Sequence, residues 1–109
     1  MIIDFHSIPF ETLPNFKDGN GAFEVQMFFD GNMRIMHGKL AQGSSIGLHR
    51  HEGNCEVLFV VKGEGVLIDG EEKQTITAGQ CTYCPEGQAH SLINENCTEL
   101  EFYAVVPKQ

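Results

Sequence analysis

The sequence predicts an all-β fold, either a sandwich or a barrel, built from about ten short strands. Short runs of alternating apolar and polar residues are frequent, glycine-containing turns separate them at short intervals, and helix signals are poor. The 109-residue length and the 41% apolar share are typical of one compact domain, so we expect residues 1–109 to fold as a single domain. A chain of this size buries about 65% of its unfolded surface, which is enough for a stable core without disulfide bonds or structural metal ions.

The first element is expected to be an edge strand followed by a loop, over residues 1–22. Its apolar anchors are interrupted by the breakers Pro9, Pro14, Gly19 and Gly21. Downstream, strands are expected where apolar residues alternate or run together between turn residues. These strands cover residues 23–27, 33–40, 46–51, 55–62, 66–68, 74–77, 80–84, 90–93 and 99–106.

Three turns are predicted to join neighbouring strands as antiparallel pairs. Asp30-Gly31-Asn32 closes the first hairpin, and Asp69-Gly70 closes another between residues 66–68 and 74–77. Glu52-Gly53-Asn54 is predicted to return the chain from residues 46–51 into the strand at 55–62. Because that strand is apolar at every position from Val57 to Val61, we expect it to be buried on both faces.

The charge balance and the apolar runs argue against two classes of partner. The formal net charge is −8 and no cluster of lysine or arginine is present, so binding of nucleic acid through its phosphates is not expected. No apolar run reaches the roughly 18 residues of a membrane span, and residues 1–6 lack the basic start of a signal peptide. We therefore expect a cytoplasmic protein with no membrane partner.

The cysteines are Cys55, Cys81, Cys84 and Cys97, and nothing in the sequence indicates secretion, so reduced thiols are expected. The spacing of Cys81 and Cys84 raises a zinc or redox interpretation. However, no second pair of this kind exists, and the segment is strand-like, which sends the two sulfur atoms to opposite faces. We therefore expect the cysteines to be buried as small hydrophobic residues.

Three histidines and one glutamate carry the chemical information in the chain: His49, His51, Glu56 and His90. His49 and His51 project from the same strand face, because side chains in a strand alternate with a period of two. The turn after His51 is expected to bring Glu56 opposite these histidines, and His90 follows a rigid turn at Pro85. Imidazole and carboxylate together suit a divalent first-row ion such as Mn, Fe, Co, Ni or Zn. Four protein ligands would leave open positions on an octahedral ion, as a catalytic site requires.

The spacing of these residues forms two motifs. They read Gly43-x5-His49-x-His51-x4-Glu56-x6-Gly63 and Gly79-x5-Pro85-x-Gly87-x2-His90-x3-Asn94. Here the chain resembles the cupin family, because every fixed position of both cupin motifs is filled. The first motif covers residues 43–63 and the second covers residues 79–94, so the resemblance spans about half of the chain. Small single-domain bacterial cupins of type 2, some loosely described as oxalate-decarboxylase-like, are the most similar members.

The resemblance implies a double-stranded β-helix, a conical jelly-roll β-barrel of six to eight strands. It implies a homodimer, the usual cupin assembly, and a small-molecule ligand in the barrel. It also implies that the barrel mouth holds one divalent metal ion on His49, His51, Glu56 and His90. The glycines of the motifs would occupy turn positions that need small size or positive φ: Gly43, Gly63, Gly79 and Gly87.

A few further side chains have open roles. Arg34 shares the inward face of its strand with Leu40, so it either reaches into the cavity to pair with a substrate carboxylate or lies exposed beside the hairpin turn. His37 is expected on the opposite face. Gln26 and Tyr83 are candidate polar lining residues of the cavity, although each also fits a core or surface position.

Three functions compete at this point. The first is a mononuclear metalloenzyme that acts on a small oxygen-bearing substrate, such as a carboxylate, by decarboxylation, dioxygenation or isomerisation. The second is a non-catalytic module that binds a sugar or another small molecule. The third is a barrel whose ion mainly holds strands together. No general acid or base is identifiable beyond the four ligands, and the fold by itself does not select a reaction.

Overall fold

A computed structural model describes all 109 residues and confirms the all-β expectation. It contains no α-helix, and two single 3₁₀ turns cover Phe5–Ser7 and Phe16–Asp18. Neither 3₁₀ turn could span a lipid bilayer, and no other helical segment is present. The ten strands are β1 (Glu11–Pro14), β2 (Ala22–Phe29), β3 (Met33–Leu40), β4 (Ser45–Arg50), β5 (Glu56–Lys62), β6 (Glu64–Asp69), β7 (Glu72–Thr77), β8 (Cys81–Cys84), β9 (Ala89–Ile93) and β10 (Leu100–Pro107).

The strands form two antiparallel sheets that pack face to face as a jelly-roll barrel. The six-stranded sheet has the order β1-β2-β3-β10-β5-β8, and the four-stranded sheet has the order β4-β9-β6-β7. The predicted hairpins β2–β3 and β6–β7 are confirmed, and β1 is the expected edge strand of the N-terminal segment. The four motif glycines all have φ between 82° and 93°, as turn positions of this kind require: Gly43, Gly63, Gly79 and Gly87.

The predicted antiparallel return from β4 into β5 is wrong. β4 pairs with β9 in the four-stranded sheet, whereas β5 lies between β10 and β8 in the other sheet. Just before the turn, the His51 amide donates to Gln88, and just after it the Cys55 amide donates to Pro107 on β10. The turn therefore crosses between the sheets, and Glu56 faces the histidines across the interior of the barrel.

The hydrophobic core lies between the sheets and consists of 14 buried residues. The rings of Phe23 and Phe102 stack in its centre, with 5.7 Å between their centroids. The expectation that β5 is buried on both faces is wrong, because 47% of Phe59 and 49% of Val61 are exposed. The inward-facing residues of the same strand, such as Leu58, are buried. No layer of this chain covers the outer face of β5.

The cysteines are free, and they divide between the two faces. Cys84 and Cys55 are buried, whereas Cys81 and Cys97 are exposed, so the expectation of burial is wrong for the latter two. Cys81 and Cys84 point to opposite faces of β8, as strand alternation predicts. Burial raises the pKa of the Cys84 thiol to about 11, and the charge of nearby Glu56 acts in the same direction. Cys84 is therefore an uncharged thiol with the character of a small hydrophobic residue.

Candidate metal centre

The four predicted residues meet in the space between the two sheets. His49 on β4 and His90 on β9 are direct cross-strand partners, His51 follows the end of β4, and Glu56 begins β5 on the facing sheet. One potential ligand atom from each of the four lies within 4.8 Å of the others. His49 is half-buried and the other three are buried. This cluster of four residues could hold a metal ion.

The distances among His51, Glu56 and His90 match the ligand shell of a first-row ion. His90 Nε2 lies 2.8 Å from Glu56 Oε1, and His51 Nε2 lies 3.3 Å from the same oxygen. The two Nε2 atoms are 2.9 Å apart. An ion about 2.0–2.2 Å from each ligand would separate neighbouring ligand atoms by about 2.8–3.6 Å. Three of the four ligand atoms therefore have the spacing of neighbouring ligands in a metal site, and the ligand atom of His49 lies within 4.8 Å of them.

Hydrogen bonds at the outer ring nitrogens orient two of the histidines. His49 Nδ1 lies 2.7 Å from the carbonyl oxygen of Gly47, and His51 Nδ1 lies 2.6 Å from Oδ1 of Asn54. Because both partners are acceptors, Nδ1 must donate, and a neutral ring then directs the lone pair of Nε2 into the cluster. Outer hydrogen bonds of this type are the usual support of metal-binding histidines.

Burial and mutual contacts shift three pKa values in the cluster. Burial alone would raise the pKa of Glu56, but hydrogen bonds from His51 and His90 hold it at about 2, so the carboxylate is ionised at neutral pH. The hydrogen bond with Glu56 raises the pKa of His51, whereas burial lowers the pKa of His49. Without a metal, contact with Glu56 therefore favours the protonated form of His51, and burial disfavours that of His49.

A cavity of about 540 Å³ adjoins the cluster. Apolar side chains from both sheets line it, including Met36, Leu58 and Ile46, together with the four clustered residues. Arg34 lines the same cavity, so its inward orientation is confirmed. Arg50 also contributes to the lining, but it is exposed and donates a hydrogen bond to the carbonyl of Gly87. The volume falls within the range of small-molecule sites.

Comparison with known proteins identifies the family. The sequence matches the family described as Cupin domain over residues 36–106. The chain belongs to the cupin family. The oxalate-binding protein of Thermotoga maritima is 36% identical over 114 residues, an alignment that covers 97% of this chain and 93% of that protein.

Solved structures agree with this membership. A predicted oxalate decarboxylase from Thermotoga maritima superposes on this cupin with a TM-score of 0.92 and 33% identity, over 100% of both chains. A sugar phosphate isomerase of the cupin superfamily from Silicibacter pomeroyi superposes with a TM-score of 0.78 and 20% identity, over 100% of this chain and 76% of that chain. The second likeness shows the shared fold alone.

The candidate cavity residues Gln26 and Tyr83 lie outside the cavity, and His37 lies on the face opposite Arg34, as expected. His37 is on the outer face of β3, where its two ring nitrogens contact Gln26 Oε1 and Glu101 Oε2, each at 2.6 Å. Gln26 also donates from Nε2 to the carbonyl of Ile8, so it ties the N-terminal segment to the sheet and does not line the cavity. Tyr83 is 57% exposed on the outer face.

Asn54 is a supporting residue that the sequence analysis missed. Its side chain accepts the hydrogen bond that orients the ring of His51. The available signal was an asparagine three residues after a histidine, inside a glycine turn, where asparagine side chains commonly bond to nearby groups.

We expect Asn54→Ala to lower metal affinity about 10- to 100-fold, because the ring of His51 loses the acceptor that fixes its orientation. Titration against a competing chelator measures the change. Asn54→Asp keeps an acceptor oxygen and should retain most of the affinity, and Asn32→Ala, in the β2–β3 turn, should have no effect. Equal affinities of Asn54→Ala and the wild type would contradict the supporting role.

A loop on the other side of the site fixes the backbone of β4. This loop includes the 3₁₀ turn Phe16–Asp18, and a Cβ atom at Gly47 would overlap the carbonyl oxygen of Lys17. Since the Gly47 carbonyl accepts the hydrogen bond of His49, the loop supports the strand that presents His49. The loop contains three non-glycine residues with φ between 52° and 64°, a conformation that persists only where surrounding contacts hold it: Asn15, Lys17 and Asp18.

The pKa shifts predict how metal affinity depends on pH. A metal ion needs His51 unprotonated, and the raised pKa of His51 means that proton competition begins above the ordinary histidine value of 6.5. We therefore expect affinity to fall as the pH decreases from about 8 to about 5, approaching tenfold per pH unit for each proton displaced. Chelator competition at several pH values measures the slope. A flat profile across this range would contradict proton competition.

Proposed function

We propose that this cupin binds one divalent metal ion through His49, His51, Glu56 and His90, and that it binds a small carboxylate-bearing ligand directly on that ion. The convergence of four donor groups within 4.8 Å, beside a cavity of about 540 Å³, carries the proposal. Four protein ligands leave two positions of an octahedral shell for oxygen atoms of the ligand. The apolar walls of the cavity would limit the access of water to them.

The charge of the site favours an anionic chelating ligand. A divalent ion with Glu56 as its one carboxylate ligand retains a net positive charge, which attracts a small organic acid. The relative from Thermotoga maritima that is 36% identical is called an oxalate-binding protein, so oxalate is the first ligand to test. When bound, the ion would act as a Lewis acid on the ligand oxygen atoms.

The test is calorimetric titration with oxalate, before and after metal is removed by a chelator. Purification must avoid nickel resin, because affinity generally rises from Mn²⁺ to Ni²⁺ and handling can replace the native ion. We expect about one ion per chain by elemental analysis and oxalate binding only to the metal-loaded protein. Equal binding of oxalate to the metal-free protein would contradict the proposal.

Catalysis on the bound acid is a second candidate, and the open coordination positions favour it. Decarboxylation, dioxygenation or isomerisation would each begin with the substrate bound at these positions. Assays with oxalate and with hydroxy and keto acids, in air and without oxygen, detect turnover by product formation. A metal-loaded protein that binds these acids but forms no product would be a binding module.

The exposed apolar residues on the outer face of the six-stranded sheet support a homodimer as the assembly. Phe59, Tyr83 and Tyr103 are 37–57% exposed there, and they surround the half-buried Val57 and Val105. We propose that a second copy covers this face, because a twofold interface is self-complementary and aromatic residues are enriched in interface cores. Light scattering should give the dimer mass for the wild type and the monomer mass for Phe59→Glu, with metal content unchanged. A monomeric wild type would contradict the proposal.

A further inference from the structure

The cavity collects positive charge although the protein is acidic. The chain has 15 acidic and only 7 basic residues, yet three of the basic side chains, Lys17, Arg34 and Arg50, line this one cavity. None of the three lies within 4.0 Å of a carboxylate, although Glu52 and Glu56 also contribute to the lining. Basic side chains of an acidic protein that find no acidic partner around a cavity point to an anionic ligand.

Arg34 is half-buried, whereas Lys17 and Arg50 are exposed. Its Cζ atom lies 4.3 Å from the centroid of the Phe29 ring, a cation–π contact that stabilises the position of the guanidinium. The only hydrogen-bond acceptor beside its guanidinium is Sδ of Met27, which contacts Nη1. A thioether is a weak acceptor, and a guanidinium has five N–H donors, so most of the donor capacity of this half-buried group is unused.

The sheet register relates Arg34 to the metal cluster. Arg34 is the cross-strand partner of Val106, and the register that pairs Val105 with Val57 sets Val106 beside Glu56 one step further. Arg34 and Glu56 therefore point into the barrel from the same row, two strand spacings or about 10 Å apart. The Arg34 guanidinium contacts the Phe29 ring, and Phe29 is on β2, which lies on the side of β3 away from Glu56.

We infer that Arg34 binds a second carboxylate of the metal-bound ligand. The ligand class of this site is then the short-chain dicarboxylic acids that are longer than oxalate and carry a chelating pair of oxygen atoms at one end. The inference rests on the proposed function. One end of such an acid would lie on the ion, and the far carboxylate would accept the N–H groups that Arg34 leaves unused. A guanidinium and a carboxylate match as a two-pronged pair, and this geometry adds selectivity as well as affinity.

The test compares two acids that share the chelating end and the carbon count, 2-oxoglutarate and 2-oxopentanoate, by calorimetry on the Mn²⁺-loaded protein. We expect the wild type to bind 2-oxoglutarate at least about tenfold more tightly than 2-oxopentanoate. Arg34→Gln should remove this preference and leave the affinity for 2-oxopentanoate within about twofold, since only the far carboxylate contacts Arg34. Lys62→Gln removes the same charge at the end of β5 and should leave both affinities unchanged.

The outcomes separate this inference from the proposed function. If the Mn²⁺-loaded wild type binds neither oxalate nor the two oxo acids, the proposed function fails. If it binds them without preferring 2-oxoglutarate, or if Arg34→Gln lowers the affinity for both oxo acids equally, only the role of Arg34 is wrong. Arg34→Lys keeps the positive charge but lacks the paired N–H donors of a guanidinium, so it should retain part of the preference for 2-oxoglutarate. It provides a second variant should the glutamine variant fold poorly.

Discussion

His51→Ala is expected to abolish metal binding, with the ion content falling from about one per chain to below about one tenth. The substitution removes one of four ligands and also removes a hydrogen-bonded partner of the buried Glu56 carboxylate. Added metal should stabilise the wild type by up to about 4 kcal/mol at a thousandfold excess over Kd, and so raise its melting temperature. The variant should show no metal-dependent shift. Elemental analysis and thermal melting measure the two effects.

His6→Ala is the matched control for this variant. The His6 side chain is fully exposed and contacts only Asp4 and its neighbours, so its removal should change neither the ion content nor the melting shift. An unchanged ion content in His51→Ala would exclude His51 as a ligand. A loss of metal in both variants would show that the effect of His51→Ala is not specific to the cluster of four residues.

Gly47→Ala is expected to destabilise the protein by about 3 kcal/mol or more, lowering the melting temperature by about 12–20 °C. The added Cβ atom would overlap the carbonyl oxygen of Lys17, a backbone atom that no side-chain rotation can move away. Either the loop at Phe16–Asp18 or the strand β4 must then shift. Because the Gly47 carbonyl orients His49, metal affinity should fall together with stability.

Gly31→Ala is the matched control for the packing effect. Gly31 has a φ of 95° in the β2–β3 turn and no atom within 4 Å of an added Cβ, so its substitution costs only the strain of positive φ, about 1–2 kcal/mol. Metal affinity should remain that of the wild type in this variant. A Gly47→Ala protein as stable as Gly31→Ala, with wild-type metal affinity, would show that the loop does not support the site.

Local patterns predicted the strands and the hairpins of this cupin, because alternation and turn residues act over a few positions. They failed at the Glu52-Gly53-Asn54 turn, where a short glycine turn fits either a hairpin or a crossing between sheets. The outcome depends on the pairing of β4 with β9, a partner far along the chain that no local pattern reports. The apolar run at Val57–Val61 also could not show that the outer face of β5, where Phe59 lies, is left uncovered by the rest of the chain.

The candidate ligands were predictable because their spacing is a property of the sequence itself. The contacts that hold these ligands in place were not predictable from spacing. The hydrogen bond from His51 to Asn54 depends on the orientation of a side chain, and the contact of Gly47 with Lys17 depends on two segments that meet only in the folded chain. Strand alternation placed Arg34 inside the barrel, but the lack of an acidic partner became visible only in three dimensions.

Anomalous diffraction from crystals of the Mn²⁺-loaded protein tests most directly whether the four side chains share one cation. We expect a single peak between the sheets, about 2.0–2.3 Å from Nε2 of His49, His51 and His90 and from a carboxylate oxygen of Glu56. A fully loaded protein whose anomalous peak lies away from these four residues would contradict the metal centre and the function built on it.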